Sequence, residues 1–500
     1  MNKYDFAIIG GGIGGLIIAQ ILSKEGKRVI VLEKNKHLGG AIQGFRRQGV
    51  VFDTGAHYIG GMDEGQNLNQ YFKYLDIQDK LIMEKLDEDC FDRITFESNG
   101  KSYDYAQGYD NFVEVLSKDF PDNIAEIQRY VDEIRKVGEE YPMYSLDLSK
   151  GVEIRLNETH LTLSVGDFLD GITKNEELKK VLAASNLVYA GDSETTPYYV
   201  HALILNSYIS SSYRMVGGAS QMAYRLAEQI EARGNVVRNY AEVKEFVFGE
   251  GKEVQSVILA DGEEIFADQF ISNIHPSVTL DMIPKDKIRK SYRSRIQAID
   301  NTYSVFSIYI VLKPESFKNI PYNLYYFEDD DIWNKDNGEE KWPKTFMMIT
   351  QSGTEGQEYA DGITAISPMD FEMVEQWQET KYKNRPQEYH DFKLQMQEKF
   401  LHLLEKKHPG LRDKIKYVEV NTPLTYLHYT HSPKGSLYGI MRNAKDPLRT
   451  HIAPYTKVPN LFFVGQNIDI HGVLGVTVGA FMTAGMFMDL ETLLQKVNEA

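Results

Sequence analysis

The chain has 500 residues, 42% hydrophobic and 25% charged, more than one hydrophobic core accommodates, so two lobes are expected. Its 55 lysines and arginines against 72 aspartates and glutamates give a net charge of −17, which excludes nucleic acid or an anionic membrane as a partner held by bulk charge and leaves only a local basic patch open. The single cysteine, Cys90, excludes an internal disulfide framework and any cysteine-ligated cluster within one chain; it fits a reducing cytoplasm and reads as a small buried residue.

The first thirty-odd residues are the most informative. An apolar run at 4–9 predicts a strand, Gly10-Gly11-Gly12-Ile13-Gly14-Gly15 a turn, 16–24 a helix, and 29–32 a second strand ending on Glu33. This strand, glycine turn, helix, strand and acid form a dinucleotide fingerprint. Gly10 permits the tight turn, Gly12 removes a side chain where a pyrophosphate approaches the backbone, and Gly15 lets the helix pack close to the strand. The helix start, with Ile13 and Gly14, faces the phosphates with free N–H groups. Glu33, followed by Lys34, accepts hydrogen bonds from a ribose and disfavours a 2′-phosphate, so FAD or NAD is expected over NADP.

Neither apolar end suits a membrane span or a secretory signal. At the N-terminus only Lys3 precedes the apolar run, Asp5 interrupts it and no small-residue cleavage site follows Leu22. Residues 472–488 lack charge but are short for a bilayer and broken by Gly475, Gly479 and Gly485. A cytoplasmic protein is expected, with peripheral membrane contact left open.

Further along, helices are predicted over 122–137 and 167–182, and one from Gly217-Gly218 to Arg233 that stops at Gly234. Strands follow at 236–247, 254–260 and 269–272, then at 303–312, 346–350 and 363–366, with 328–342 a polar connection. Residues 389–407 read as an amphipathic helix, 461–464 as a strand ending at Gly465-Gln466-Asn467, and 473–494 as a helix. The fold class is α/β: a Rossmann-like nucleotide-binding domain assembled from discontinuous segments, 1–75, 211–290 and 421–500, with an inserted α+β substrate domain, 76–210 and 291–420.

In this order, GGGIGG, EKNKHLGG at 33–40, FDTGAHYIG at 52–60, MVGGASQMAYRLA at 215–227, ISNIHP ending at Pro276, TPLTYLHYTHSPKGSLYGI at 422–440 and LFFVGQNIDIHGVLGVTVGA at 461–480 resemble the phytoene desaturase, carotene isomerase and retinol saturase branch of the flavin amine-oxidase superfamily. The resemblance spans most of the chain and is weakest in the two inserts. It implies bound FAD, with Gly39-Gly40 beside the pyrophosphate, Val243 offering its backbone to adenine, and Gly465, Gln466, Gly475 and Val476 near the ribityl chain or flavin ring. Many related flavoproteins carry an acid at the Gln466 position.

The resemblance also implies an oxidoreductase acting on C=C bonds of a polyene or isoprenoid lipid, as saturase, desaturase or isomerase. Since only one dinucleotide fingerprint is present, a donor such as NAD(P)H would dock transiently. His57 and Tyr58, in the glycine-bordered TGAHYIG loop, are the candidate catalytic acid or positioning groups, with Asp469 and His471 behind them. His428 and His431 lack a third ligand, so no metal is expected. Tyr189, Tyr198, Tyr199, Tyr208 and Tyr213 are candidates to line an apolar tunnel. Two rivals remain: a flavin amine oxidase, and a non-enzymatic prenyl-protein escort factor of the same fold, against which the complete Gly10, Gly12, Gly15 and Glu33 set counts.

Overall fold

The computed structural model describes residues 3–149, 151–152, 157–333 and 338–500. Tyr4–Ile9 is the centre of a seven-stranded sheet. It pairs in parallel with Val29–Leu32 on one side and Glu264–Ser272 on the other, with Phe6 opposite both Val29 and Gln269. Val236–Arg238 extends the sheet beside Val29–Leu32, and Leu461–Phe463 joins Glu264–Ser272 from the far end of the sequence. Glu264–Ser272 is long enough to serve twice, since its first half also closes an antiparallel meander with Val254–Leu259 and Val243–Phe248. Helix Ile13–Lys24 is buried along almost its whole length.

A second seven-stranded sheet takes its strands from 92–105 and 304–421, in the order Ile415–Asn421, Ser304–Leu312, Gly362–Met369, Thr345–Gln351, Asn323–Phe327, Asp92–Phe96, Lys101–Tyr105. Phe306, Ile308 and Ile310 pack with Phe392, Met396 and Phe400 of helix Gln387–Lys407 in a core of their own. On the opposite face Tyr309 and Val311 meet Phe52 of the hairpin Gly44–Arg47/Val50–Asp53. Both faces being covered, all nine residues of Ser304–Leu312 are buried.

Several predicted elements are divided. Residues 236–247 form two strands in different pairings, separated where Tyr240 takes φ +56° and its N–H donates to the Asn35 carbonyl. Residues 167–182 form Val165–Ile172 and Glu176–Ala183, the second capped by the Asn175 side chain. The C-terminal helix is likewise two, Gly472–Ala484 and Leu490–Asn498, because Asp489 caps Thr492 and starts a new helix. In the 328–342 connection, Trp342 is not polar surface: it is buried and donates to the Pro368 carbonyl, while Asp330 pairs with Lys180. Residues 334–337 of that connection lie outside the described residues. Among the described residues no helix is long and apolar enough to cross a membrane.

Candidate active site

A cavity of about 670 Å³ runs from the first βαβ unit into the space between the two sheets. Its nucleotide end is built from backbone. Gly10, at φ +100°, turns the chain where a Cβ would stand 2.9 Å from Ile274. Gly39 donates from its N–H to the Gly11 carbonyl, and Gly40 lies so close that its Cβ would be 3.2 Å from the Gly12 Cα. At Gly12 a Cβ would stand 2.8 Å from the Asn273 amide nitrogen, and at Gly14 2.9 Å from Val476 and 3.0 Å from the Gly465 Cα. The start of Ile13–Lys24 is thereby pressed between the 39–40 loop and the Gly465 turn.

Glu33 is 5% exposed. Its two oxygens accept from the Gly11 and Asn35 N–H groups at 2.8 and 2.7 Å, leaving acceptor capacity on both for a hydroxyl pair. Burial raises its carboxyl, opposed by those hydrogen bonds. Lys34 donates to the His428 carbonyl at 3.0 Å and is pushed down to about 8 by burial.

Of the residues expected at a cofactor, Gly10, Gly12, Ile13, Gly14, Glu33, Lys34, Gly39, Gly40, Val243, Gly465, Gln466, Gly475 and Val476 line the cavity. Gly15 does not. Its Cβ would strike the Gly10 carbonyl, so its smallness serves the contact between helix and turn. Asn273, not among the expected residues, touches Gly12, Gly14, Gly15 and Gly465 and donates to the Gly10 carbonyl at 3.2 Å. Its sequence signals are its place directly after strand Glu264–Ser272 and within the ISNIHP motif, neither of which says what it touches.

The deeper end is built from side chains. His57 is 6% exposed, lines the cavity and has no partner on either ring nitrogen. Burial and the Arg214 charge push it down to about 4, so the ring is neutral at physiological pH. Tyr58 stacks on Tyr208 at 4.3 Å, shares a hydrogen bond with the Tyr325 hydroxyl at 2.8 Å, and donates to Asp92 at 3.0 Å. Tyr144 donates to Asp469 at 2.7 Å, and His471 packs against Tyr438 with its Nε2 unpartnered. Leu203, Ile204, Val188, Met347 and Leu437 supply apolar walls.

Only part of the expected tyrosine cluster belongs here. Tyr208 lines the cavity, whereas Tyr189 bonds His201, Tyr198 stacks on Phe168 and Tyr213 donates to Asp63. His428 stacks on Tyr382 at 4.0 Å and His431 caps a helix at φ +54°. Among the described residues no three histidines, cysteines, aspartates or glutamates gather to hold a metal ion. Cys90 is buried, which raises its thiol.

The donor set fits FAD: a ribose-facing carboxylate, glycines leaving a cradle that any Cβ would narrow, and a second glycine turn opposite the first helix start. A family model of flavin-containing amine oxidoreductases matches residues 13–333. The chain belongs to that family, and it is an FAD-dependent oxidoreductase. It is similar to the all-trans-retinol 13,14-reductase of Danio rerio, 27% identical over 99% of this chain and 88% of the relative. The chloroplastic prolycopene isomerase of Arabidopsis thaliana is 26% identical over 97% of this chain and 82% of the relative. A putrescine oxidase solved with putrescine bound covers 100% of both chains with a TM-score of 0.65 at 14% identity, a likeness of fold.

Proposed function

We propose that the protein acts on C=C bonds of a polyene or isoprenoid lipid, as a saturase, desaturase or isomerase, with residues 1–75, 211–290 and 421–500 holding FAD and 76–210 and 291–420 enclosing the substrate. The observation that carries this reading is the distribution of charge in the cavity. Among the described residues, the carboxylates that line it, Glu33 and Glu242, stand at the nucleotide end, while the deeper end offers aliphatic walls, tyrosines and a neutral His57. An apolar chain suits such a wall; a buried ammonium needs an anionic partner there. The names of the retinol reductase and prolycopene isomerase relatives point the same way.

FAD supplies the redox chemistry when bound: reduced, it gives a hydride to one carbon of a C=C, and oxidised it removes one. Glu33 holds the ribose, the N–H groups at 12–15 face the pyrophosphate, Val243 lies at adenine, and Gly465, Gln466, Gly475 and Val476 border the ribityl chain and ring. The Gln466 amide donates and accepts where an acid would only accept. His57, neutral and unpartnered, positions the reacting chain through its N–H, with Tyr58 beside it on the cavity wall. The electron donor, a nicotinamide nucleotide or another carrier, docks transiently, because the chain has one dinucleotide fingerprint.

The test is anaerobic. Reduced, flavin-loaded protein is mixed with all-trans-retinol or prolycopene, and the oxidised protein separately with putrescine. Flavin reoxidation or isomer formation with a polyene is expected. Flavin reduction by the amine, with none of the polyenes consumed, replaces this reading by an amine oxidase.

A further inference from the structure

Addition of hydrogen across a C=C, or migration of the bond, needs a proton at the cavity wall. Two lining tyrosines donate to buried carboxylates: Tyr144 to Asp469 and Tyr58 to Asp92. Their settings differ. Arg442 donates to the Asp469 backbone carbonyl and its charge lowers the Asp469 carboxyl, but burial outweighs it and leaves that carboxyl raised. Asp92 is 1% exposed, and its hydrogen-bond partners are the Tyr58 hydroxyl and the Asn323 amide, which donates to Oδ1 at 2.8 Å. The Tyr325 hydroxyl stands 2.8 Å behind that of Tyr58, and Tyr58 adjoins the unpartnered His57.

Resting on the reading of the reaction as C=C chemistry, we propose that Asp92 is the proton store of the site, passing a proton through the Tyr58 hydroxyl to the substrate carbon. The Tyr58 O–H bond breaks as the C–H bond forms, on the electron pair left at that carbon once its neighbour has accepted a hydride. The Asp92 O–H bond breaks as the Tyr58 O–H bond is restored, so Tyr58 ends unchanged and the negative charge rests on Asp92. Arg214 is placed to receive it. This buried guanidinium bonds the Ile320 and Tyr322 carbonyls and the Thr350 hydroxyl, has an unpartnered Nε, and reaches the Asn323 amide oxygen at 3.5 Å, so one amide joins cation and acid. Departure of product admits water, from which Asp92 is reprotonated along the same path.

The groups facing Asp92 are Tyr58 from the 54–58 loop, Tyr105 from the neighbouring strand, Tyr208 from helix Tyr198–Ser210, Tyr325 beside Asn323, Cys90 in the preceding turn, and Arg214, itself faced by Glu84. Burial among them pushes the acid up to about 7, against the hydrogen bonds of Asn323 and Tyr58 and the charge of Arg214. About half of the molecules therefore hold this proton at neutral pH, and in them the Asp92 O–H donates to the Tyr58 oxygen, the reverse of the bond to the carboxylate, which frees the Tyr58 O–H for the substrate.

Two measurements on flavin-loaded protein test this. In an Asp53→Asn background, which removes the other buried carboxyl raised to about 7, infrared difference spectra between about pH 6 and about pH 9, on either side of that ionisation, are expected to show a carboxylic-acid C=O band that is lost in Asp92→Asn and shifted in Tyr58→Phe. Anaerobic reoxidation of the reduced protein by all-trans-retinol is expected to slow above about pH 7 in the wild type. In Asp92→Asn it should be about 10²-fold slower and flat with pH, at unchanged flavin content, with the slope restored in Asp92→Glu. A wild-type profile in Asp92→Asn, or a slope that vanishes in Asp469→Asn instead, overturns the proposal. If no polyene reoxidises the wild type, the C=C reading fails by itself and the spectra decide for Asp92: loss of the band in Asp92→Asn with its shift in Tyr58→Phe supports a proton shared between them, and its persistence overturns it.

Discussion

The two ends of the cavity are made in opposite ways. At the nucleotide end the contacts come from backbone and one carboxylate, on segments 10–15 and 33–40 joined by a single helix and strand. At the deeper end they come from side chains brought together across the whole chain: Tyr58 meets Asp92, Tyr208 and Tyr325, which lie on two strands of the second sheet and a helix of the insert. The first end depends on the absence of side chains, so it tolerates no addition. The second depends on their presence, so it is open to truncation.

The largest expected effect breaks the first end. In Gly12→Val the new side chain starts 2.8 Å from the Asn273 amide nitrogen and extends toward the phosphates, so the purified protein should lack the flavin absorbance near 450 nm and release no FAD on acid denaturation, about what a blocked pyrophosphate site predicts. Normal flavin content would mean that the loop holds no pyrophosphate.

Next is His57→Ala at the other end, where turnover should fall by about 10²-fold or more with flavin content unchanged. Because burial holds His57 near 4, its neutral form persists through the physiological range, and wild-type turnover should show no ionisation of this group between about pH 5.5 and about pH 8. Unchanged turnover in the variant would take His57 out of the reaction and leave the flavin assignment standing.

A graded effect is expected for Glu33→Ala. Loss of a charged hydrogen-bond acceptor to the ribose should weaken FAD by about 1.5–3 kcal/mol, measured by flavin fluorescence on titrating the apoprotein. The Gly11 and Asn35 N–H groups also lose their acceptor, so Glu33→Gln, which keeps an oxygen, should lose less.

The smallest effect concerns the hairpin between the two ends. Asp53 is buried, accepts from the Ala219 N–H at 2.7 Å, and is pushed up to about 7. With its folded value above its unfolded one, its contribution to stability is complete below about 3.8 and declines as pH rises through about 7. Asp53→Asn keeps the acceptor and cannot ionise. The melting temperature of the wild type should therefore drop relative to the variant by roughly 1–2 °C between about pH 6 and about pH 8.5, and a parallel pair of curves would place no ionisation at Asp53.

Legibility follows the same division. Gly10, Gly12, Gly14, Glu33 and the 39–40 pair were readable because each is a short-range requirement of one turn or one loop, and the structure sets them along one cavity. Asn273 and Asp92 were not. Each sits at an end of an ordinary strand; the ISNIHP motif holds Asn273 without showing its role, which comes from standing where a Cβ on Gly12, Gly14 or Gly465 would fall, and that of Asp92 comes from Tyr58. The tyrosine cluster misled in the other direction, since proximity in sequence along helix Tyr198–Ser210 sends Tyr198 to Phe168 and only Tyr208 to the cavity. The joined prediction over 236–247 failed because a strand changing sheet partners at Tyr240 leaves the apolar pattern intact.

By itself, the amino-acid sequence determined the α/β class, the flavoprotein family and the glycine turn, because backbone turns and helix starts are local and glycine has no substitute where φ is positive or a Cβ has no room. Only the tertiary structure decided which polar groups reach the deeper end and in what state. Burial makes His57 neutral and raises the Asp92 carboxyl, and burial is a property of everything packed around a residue, not of its neighbours along the chain.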